Sequence, residues 1–182
     1  MTGTTETRLV VLRGNSAAGK STISGLLRDA LGPGLAIIEQ DHVRRIVLSE
    51  DDRPDSANIG LISSMARFCL DVGFDVLAEG IMTSDRYGAM LLELTRDHAG
   101  VTRHFYLEVD FAESVSRHTT RDKASDFDVE RMRSWYRHRD LLAGVDQEVI
   151  SGETSAVEAS LHIAGSLGLI RGHRRHRPAA AI

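Results

Sequence analysis

The chain reads as an α/β protein built on a parallel sheet, and three observations predict it. Short apolar, β-branched runs recur at 8–13, 35–39, 74–79, 101–109 and 148–151. Between them lie stretches whose apolar residues return every three or four positions, the spacing of one helix face. Strand patterns alternating with helix patterns make βαβ units, whose strands pair in parallel. At the first strand–helix junction, Gly14-Asn15-Ser16-Ala17-Ala18-Gly19-Lys20-Ser21 fits G-x-x-x-x-G-K-[ST] at every fixed position.

The elements follow in order. Residues 1–7 are polar and read as loose. The first strand, 8–13, feeds the glycine loop and then a helix to Leu31, with Ile23, Leu26, Leu27, Ala30 and Leu31 on one face. Gly32-Pro33-Gly34 is a turn. After the second strand, 35–39, Asp41 is placed to cap a helix running to about Ser49. Residues 50–56 are charged, contain Pro54 and read as a loop. The stripe Ile59, Ile62, Met65, Ala66, Cys69 and Val72 predicts a helix over 57–72, ended by Gly73. The third strand is 74–79. Ser84 or Asp85 is expected to cap a helix reaching His98, with Met90, Leu91 and Leu94 inward. The fourth strand spans 101–109 and its helix 111–121. Residues 122–128 are polar and unpatterned, an expected mobile segment. A basic helix over 129–142, a fifth strand at 148–151 and a last helix over 154–169 complete the domain. Trp135 and Tyr136 are expected to pack in the core or under a lid, and Cys69 to be buried and inert. The arginine-rich end, 171–182, is poor in core-forming residues and is expected to be a disordered tail.

The totals exclude several classes. A chain of 182 residues forms one domain, here 1–170, with a full core. The net charge of -4 offers no electrostatic case for a nucleic-acid partner. Arg171, Arg174, Arg175 and Arg177 fall in the tail, so the body is more acidic still. One cysteine allows neither a disulfide framework nor a thiolate metal cluster. No apolar run approaches a membrane span of roughly 18 residues and the N-terminus has no apolar signal region, so a cytoplasmic protein without a membrane partner is expected.

The glycine loop carries the chemistry. Gly14 and Gly19 let the backbone turn and approach an anion closely. Loop N–H groups and the helix N-terminus, including Thr22 in its first turn, converge on phosphate oxygens, where the helix dipole favours negative charge. Lys20 is expected at the β- and γ-phosphates and the Ser21 hydroxyl on Mg²⁺. The chain has twenty arginines and two lysines, so Lys20 stands where a compact, flexible cation is wanted.

In parallel α/β sheets ligands bind at the carboxyl ends of the strands. Strand two ends in Gln40-Asp41-His42-Val43-Arg44. Asp41 there is a candidate to take the proton of an attacking hydroxyl, its plain alternative being a helix cap. Arg44 suits an anionic part of the acceptor, or pairing with Asp41, and His42 is read as a surface residue. Glu79 ends strand three, suited to Mg²⁺ through water or to acceptor hydroxyls, and Gly80 leaves room for a ligand. Arg117 and Arg121 share one helix face and are read as lid-edge clamps on transferring phosphates, the alternative being a solvated face paired with Glu113 or Asp122. Of Arg131, Arg133, Arg137 and Arg139 at most two can face the site.

With these residues in place, the chain resembles the small P-loop kinases, among them chloramphenicol phosphotransferase, zeta toxin and the gluconate, shikimate and adenylylsulfate kinases. The resemblance spans roughly 8–170. It rests on the phosphate loop (Walker A), on Ile38-Glu39-Gln40-Asp41-His42-Val43-Arg44 and on Leu77-Ala78-Glu79-Gly80-Ile81. It implies a three-layer P-loop fold with a five-stranded sheet in the order 2-3-1-4-5 and a small lid at about 121–135. It also implies ATP with Mg²⁺, a small-molecule hydroxyl acceptor and Asp41 as general base. The long insertions of zeta toxin and the acceptor-pocket signatures of the shikimate and gluconate enzymes are missing. A different class, an ATP-binding regulatory module with no acceptor, keeps the loop but leaves Asp41 and the lid arginines without use. The chain has no Asn-Lys-x-Asp stretch for reading guanine.

Overall fold

A computed structural model of the chain describes residues 1–51, 53–119 and 128–168. Its sheet has five parallel strands in the order β2-β3-β1-β4-β5. The strands are β1 Arg8–Gly14, β2 Leu35–Glu39, β3 Asp75–Gly80, β4 Val101–Glu108 and β5 Gln147–Ser151. The helices are α1 Lys20–Leu31, α2 Gln40–His42, α3 Ala57–Asp71, α4 Ser84–Asp97, α5 Phe111–Thr119, α6 Val129–Trp135 and α7 Ala156–Ser166. The strand order is the one implied by the resemblance.

Alternation along β1 sorts its side chains between two cores. Val10 and Leu12 meet Ile23 and Leu27 of α1 and Ile163 of α7 on one face. Leu9 and Val11 meet Ile62 and Leu70 of α3 and Leu91 and Leu94 of α4 on the other. Both faces of a parallel sheet are thus covered, which is why its strands read as continuous apolar runs.

Several elements differ from expectation. Glu39 is the N-cap residue of α2, and Asp41 lies inside the first turn rather than capping it. The helix passes into a π-helical turn, Val43–Val47, and stops there. Thr83, not Ser84 or Asp85, is the N-cap residue of α4 and makes no side-chain cap bond. Asp140 caps instead from 56 residues away, accepting from the Ser84 N–H at 2.8 Å and from the Ser84 hydroxyl. The predicted basic helix over 129–142 ends at Trp135, because Tyr136 turns extended and the Arg137 N–H bonds a side chain elsewhere. The last helix starts at Ala156, fixed by a capping box between Ser155 and Glu158. Cys69 is half-buried rather than buried, with burial pushing its thiol up. Trp135 and Tyr136 are half-buried, with Tyr136 edge-on to Phe111 and Arg131 over Trp135. Arg121, the part of the expected lid over 121–127 and the tail from 171 lie outside the described residues. Among the described residues no helix is long and apolar enough to cross a membrane.

One buried group gives the fold a pH signature. His104 on β4 is 4% exposed, and its Nε2 meets the Thr95 hydroxyl at 2.9 Å. Burial, with the charge of Arg13 adding to it, pushes its pKa from 6.5 down to about 4. The unfolded chain therefore binds a proton that the folded chain refuses between those values. Stability falls as pH drops from 6.5 to about 4, by on the order of 3 kcal/mol from this residue. Denaturant unfolding of the wild type and of His104→Gln across that range checks this: the variant should lose the part of the acid slope that His104 carries.

Candidate functional site

The phosphate loop closes the end of β1 beneath the first turn of α1. Gly14 is pressed against β4, where an added Cβ would lie 2.7 Å from the Leu107 carbonyl oxygen. Gly19 has φ 101 and nothing within 4 Å of where a Cβ would stand, so open space faces the helix N-terminus. Lys20 is 8% exposed, and its ammonium donates to the carbonyls of Gly14 at 3.0 Å and Asn15 at 2.9 Å. The loop is folded around its own lysine.

The Ser21 hydroxyl donates to Oε1 of Glu79 at 3.0 Å. Glu79 ends β3 beside β1 and is 4% exposed. Burial raises its carboxyl above the usual carboxylate range, and nearby Glu39 and Asp41 raise it further. Lys20 and the Ser21 hydrogen bond pull the other way. Three carboxylates thus share the rim with one buried ammonium. Among the described residues no three His, Cys, Asp or Glu side chains form a metal cage. The donors fit Mg²⁺ in its usual manner, one protein hydroxyl and a neighbouring carboxylate completed by phosphate and water.

Asp41 is exposed on that rim. Its Oδ1 accepts from Arg44 at 2.9 Å and from Arg45 at 2.7 Å. Arg44 is turned inward and also donates to the Glu50 carbonyl at 3.2 Å. His42 is exposed. Gly80 serves the protein rather than a ligand: a Cβ there would lie 2.6 Å from Cβ of Gln40. Gln40 continues a buried chain of hydrogen bonds through Tyr87 and Asn58 to Glu50. That chain pins the turn carrying Asp41 to α3 and α4.

Arg117 takes the other side of the loop. It donates to Glu113 at 2.8 Å, to the Gly152 carbonyl at 2.7 Å and to the Ala18 carbonyl at 3.5 Å. It lines a cleft of about 280 Å³ with Ala18, Gly19, Thr22, Ile23 and Gly152. Lys20, Ser21 and Glu79 are brought together, and the charge of Asp41 reaches them. Arg44 is committed to Asp41 and Glu50. Sequence reasoning missed the pair of buried Arg13 and half-buried Asp140 below the loop. An arginine inside an otherwise apolar strand was the one available signal.

Residues 9–142 match the model of a family described as an AAA domain, AAA_33. No curated protein sequence matches the chain. Among solved structures, a sugar kinase from Janibacter sp. HTCC2649 superposes with TM-score 0.68 at 14% identity, over 93% of this chain and 99% of that one. The APS kinase of Mycobacterium tuberculosis, in complex with AMPPNP and APS, superposes with TM-score 0.64 at 16% identity, over 90% and 98%. The tunicamycin resistance protein of Deinococcus radiodurans gives TM-score 0.62 at 13% identity, over 90% and 98%. At such identities the likeness is one of fold.

The raised Glu79 carboxyl has a stability consequence. The folded state holds its proton more readily than the unfolded chain, so stability is lost as pH rises through the folded pKa. Glu79→Gln keeps an acceptor for Ser21 and removes the buried charge. Thermal unfolding should show the variant more stable than wild type at pH 7, the two curves converging toward pH 4.

Proposed function

The chain belongs to the AAA-domain family whose model covers residues 9–142, and from that premise we propose that it is an ATP-dependent phosphotransferase acting on a hydroxyl of a small molecule. One observation carries the reading: the Ser21–Glu79 pair and the ammonium of Lys20 share a strand-end rim with the carboxylate of Asp41. That combination suits phosphoryl transfer, in which catalysis is mostly positioning and charge neutralisation.

In this reading loop N–H groups from Gly14 to Thr22 bind the phosphates. Lys20 leaves the Gly14 and Asn15 carbonyls to neutralise the β- and γ-phosphates. Ser21 would hold Mg²⁺ with Glu79 reaching it through water, and the ion would supply charge neutralisation on the phosphate oxygens. The cleft beside Arg117 takes the base end of the nucleotide. Arg117 therefore serves that end, and Arg121 remains the candidate lid cation at the γ-phosphate. Asp41 accepts the acceptor's hydroxyl proton as its oxygen bonds to phosphorus and the bond to ADP breaks. Both arginines bond its Oδ1, which leaves Oδ2 to take that proton. Arg44 and Arg45 thus orient the Asp41 carboxylate, rather than binding an anionic acceptor themselves.

The test is ADP release from ATP·Mg²⁺, with and without antibiotics, nucleosides, sugars and nucleotide sugars. Stimulation by one acceptor, with gain of one phosphoryl group on it, is the expected outcome. Lys20→Ala should abolish turnover. Asp41→Asn should bind ATP as wild type does while losing about 10²–10⁴-fold in the acceptor-dependent rate. Collapse of ATP affinity with the residual rate preserved would make Asp41 a structural or metal-linked residue. Tight ATP binding that no acceptor stimulates would favour a regulatory module.

A further inference from the structure

We propose that Asn15 is a positioning residue: its buried carboxamide holds the backbone of Arg137 against the phosphate loop and so presents the Arg137 guanidinium to bound phosphate. The inference rests on the reading above that the loop binds a nucleotide.

The motif leaves position 15 free, so the loop itself has no need of asparagine there. Asn15 is 4% exposed and pairs with Arg137 in both directions. Its Oδ1 accepts the Arg137 N–H at 2.9 Å and its Nδ2 donates to the Arg137 carbonyl at 2.7 Å. This is the two-bond pairing of a peptide group with a neighbouring strand, made here by a side chain. The Tyr106 hydroxyl seals the same point, donating to the Arg137 carbonyl at 3.2 Å and accepting from the Asp140 N–H at 3.3 Å.

The far end of the segment is tied as firmly. Arg13, the residue before the loop, is fully buried. Its guanidinium donates to the Met82 carbonyl at 2.7 Å and to Asp140 at 2.5 Å, and lies 5.8 Å from the Tyr106 ring centroid. A buried arginine is a heavy desolvation cost for an ordinary loop attachment, which apolar packing would achieve more cheaply. At Arg137 itself only the backbone is anchored. The Arg137 side chain stays exposed and donates only to the carbonyls of Ser134 and Tyr136, at 3.3 Å each, among the described residues. Its charge reaches Asp85 at the start of α4. The Arg137 backbone lies one carboxamide from the phosphate loop, and this proximity is what would bring its guanidinium to a phosphate bound there.

A double-mutant cycle on AMPPNP·Mg²⁺ binding, measured by calorimetry, tests this. Asn15→Ala and Arg137→Ala should each weaken binding about tenfold, and the double variant should be no weaker than Arg137→Ala alone, because both remove one cation. The losses in the two single variants should shrink together as salt rises from about 0.05 to 0.5 M. Additive losses, or an Asn15→Ala that binds as wild type does, would overturn the proposal. Should Asn15→Ala fail to fold by circular dichroism, Asn15→Ser, too short to span both groups of Arg137, replaces it with the same expectation. Wild-type protein that binds no AMPPNP would overturn the nucleotide reading and this inference together. Binding with additive losses would overturn this inference alone.

Discussion

The ammonium of Lys20, held between the carbonyls of Gly14 and Asn15, is the interaction on which the rest of the site depends. A strand that ends in a tight loop inside the protein leaves carbonyls without ladder partners, and a buried polar group left unpaired is costly. Lys20 satisfies two of them from within the loop. With the loop thus self-contained, the two neighbouring strands meet it at separate points. β4 presses the Leu107 backbone against Gly14, β3 offers Glu79 to Ser21, and Tyr106 borders Asn15.

The same geometry concentrates negative charge. Parallel strands all end on one side, so Glu39, Asp41 and Glu79 come to one rim. Their mutual repulsion and the burial of Glu79 work against folding, and Lys20 offsets only part of it. A fold selected for stability alone would place an amide or an apolar group at position 79. Unfavourable charge in a cleft beside a cation is a common mark of a functional site.

Long-range hydrogen bonds hold this rim in place. Glu50 accepts from the N–H groups of Ala57 and Asn58 at the start of α3, and Asp140 does the same for Ser84 at the start of α4. Both helices thus begin on carboxylates supplied from loops, Glu50 from the one just before α3 and Asp140 from 56 residues beyond Ser84. Each of these residues is joined to the site as well, Glu50 through its carbonyl to Arg44 and its carboxylate to Asn58, Asp140 through Arg13. Helix placement and site geometry are one network.

The fold was legible in the sequence because its signals are local: apolar periodicity, glycine turns and a loop motif whose fixed positions answer to backbone geometry. The five strands, their parallel pairing and the roles available to Gly14, Gly19, Lys20 and Ser21 follow from residues adjacent in the chain. What failed were features decided across the fold. The cap of α4 comes from Asp140, the basic helix stops at Trp135 where Arg137 meets Asn15, and Gly80 makes room for Gln40. Arg44 and Arg117 meet Asp41 and Glu113, pairings the sequence already offered as alternatives, but the carbonyls of Glu50, Ala18 and Gly152 that also hold them had no local signal. Short-range sterics and hydrophobic pattern dictate the sheet, its helical layers and the phosphate loop, so the residues alone reveal them. Which partner each polar side chain meets emerges only once the chain is folded, because hydrogen bonds and ion pairs between distant segments depend on where the chain returns.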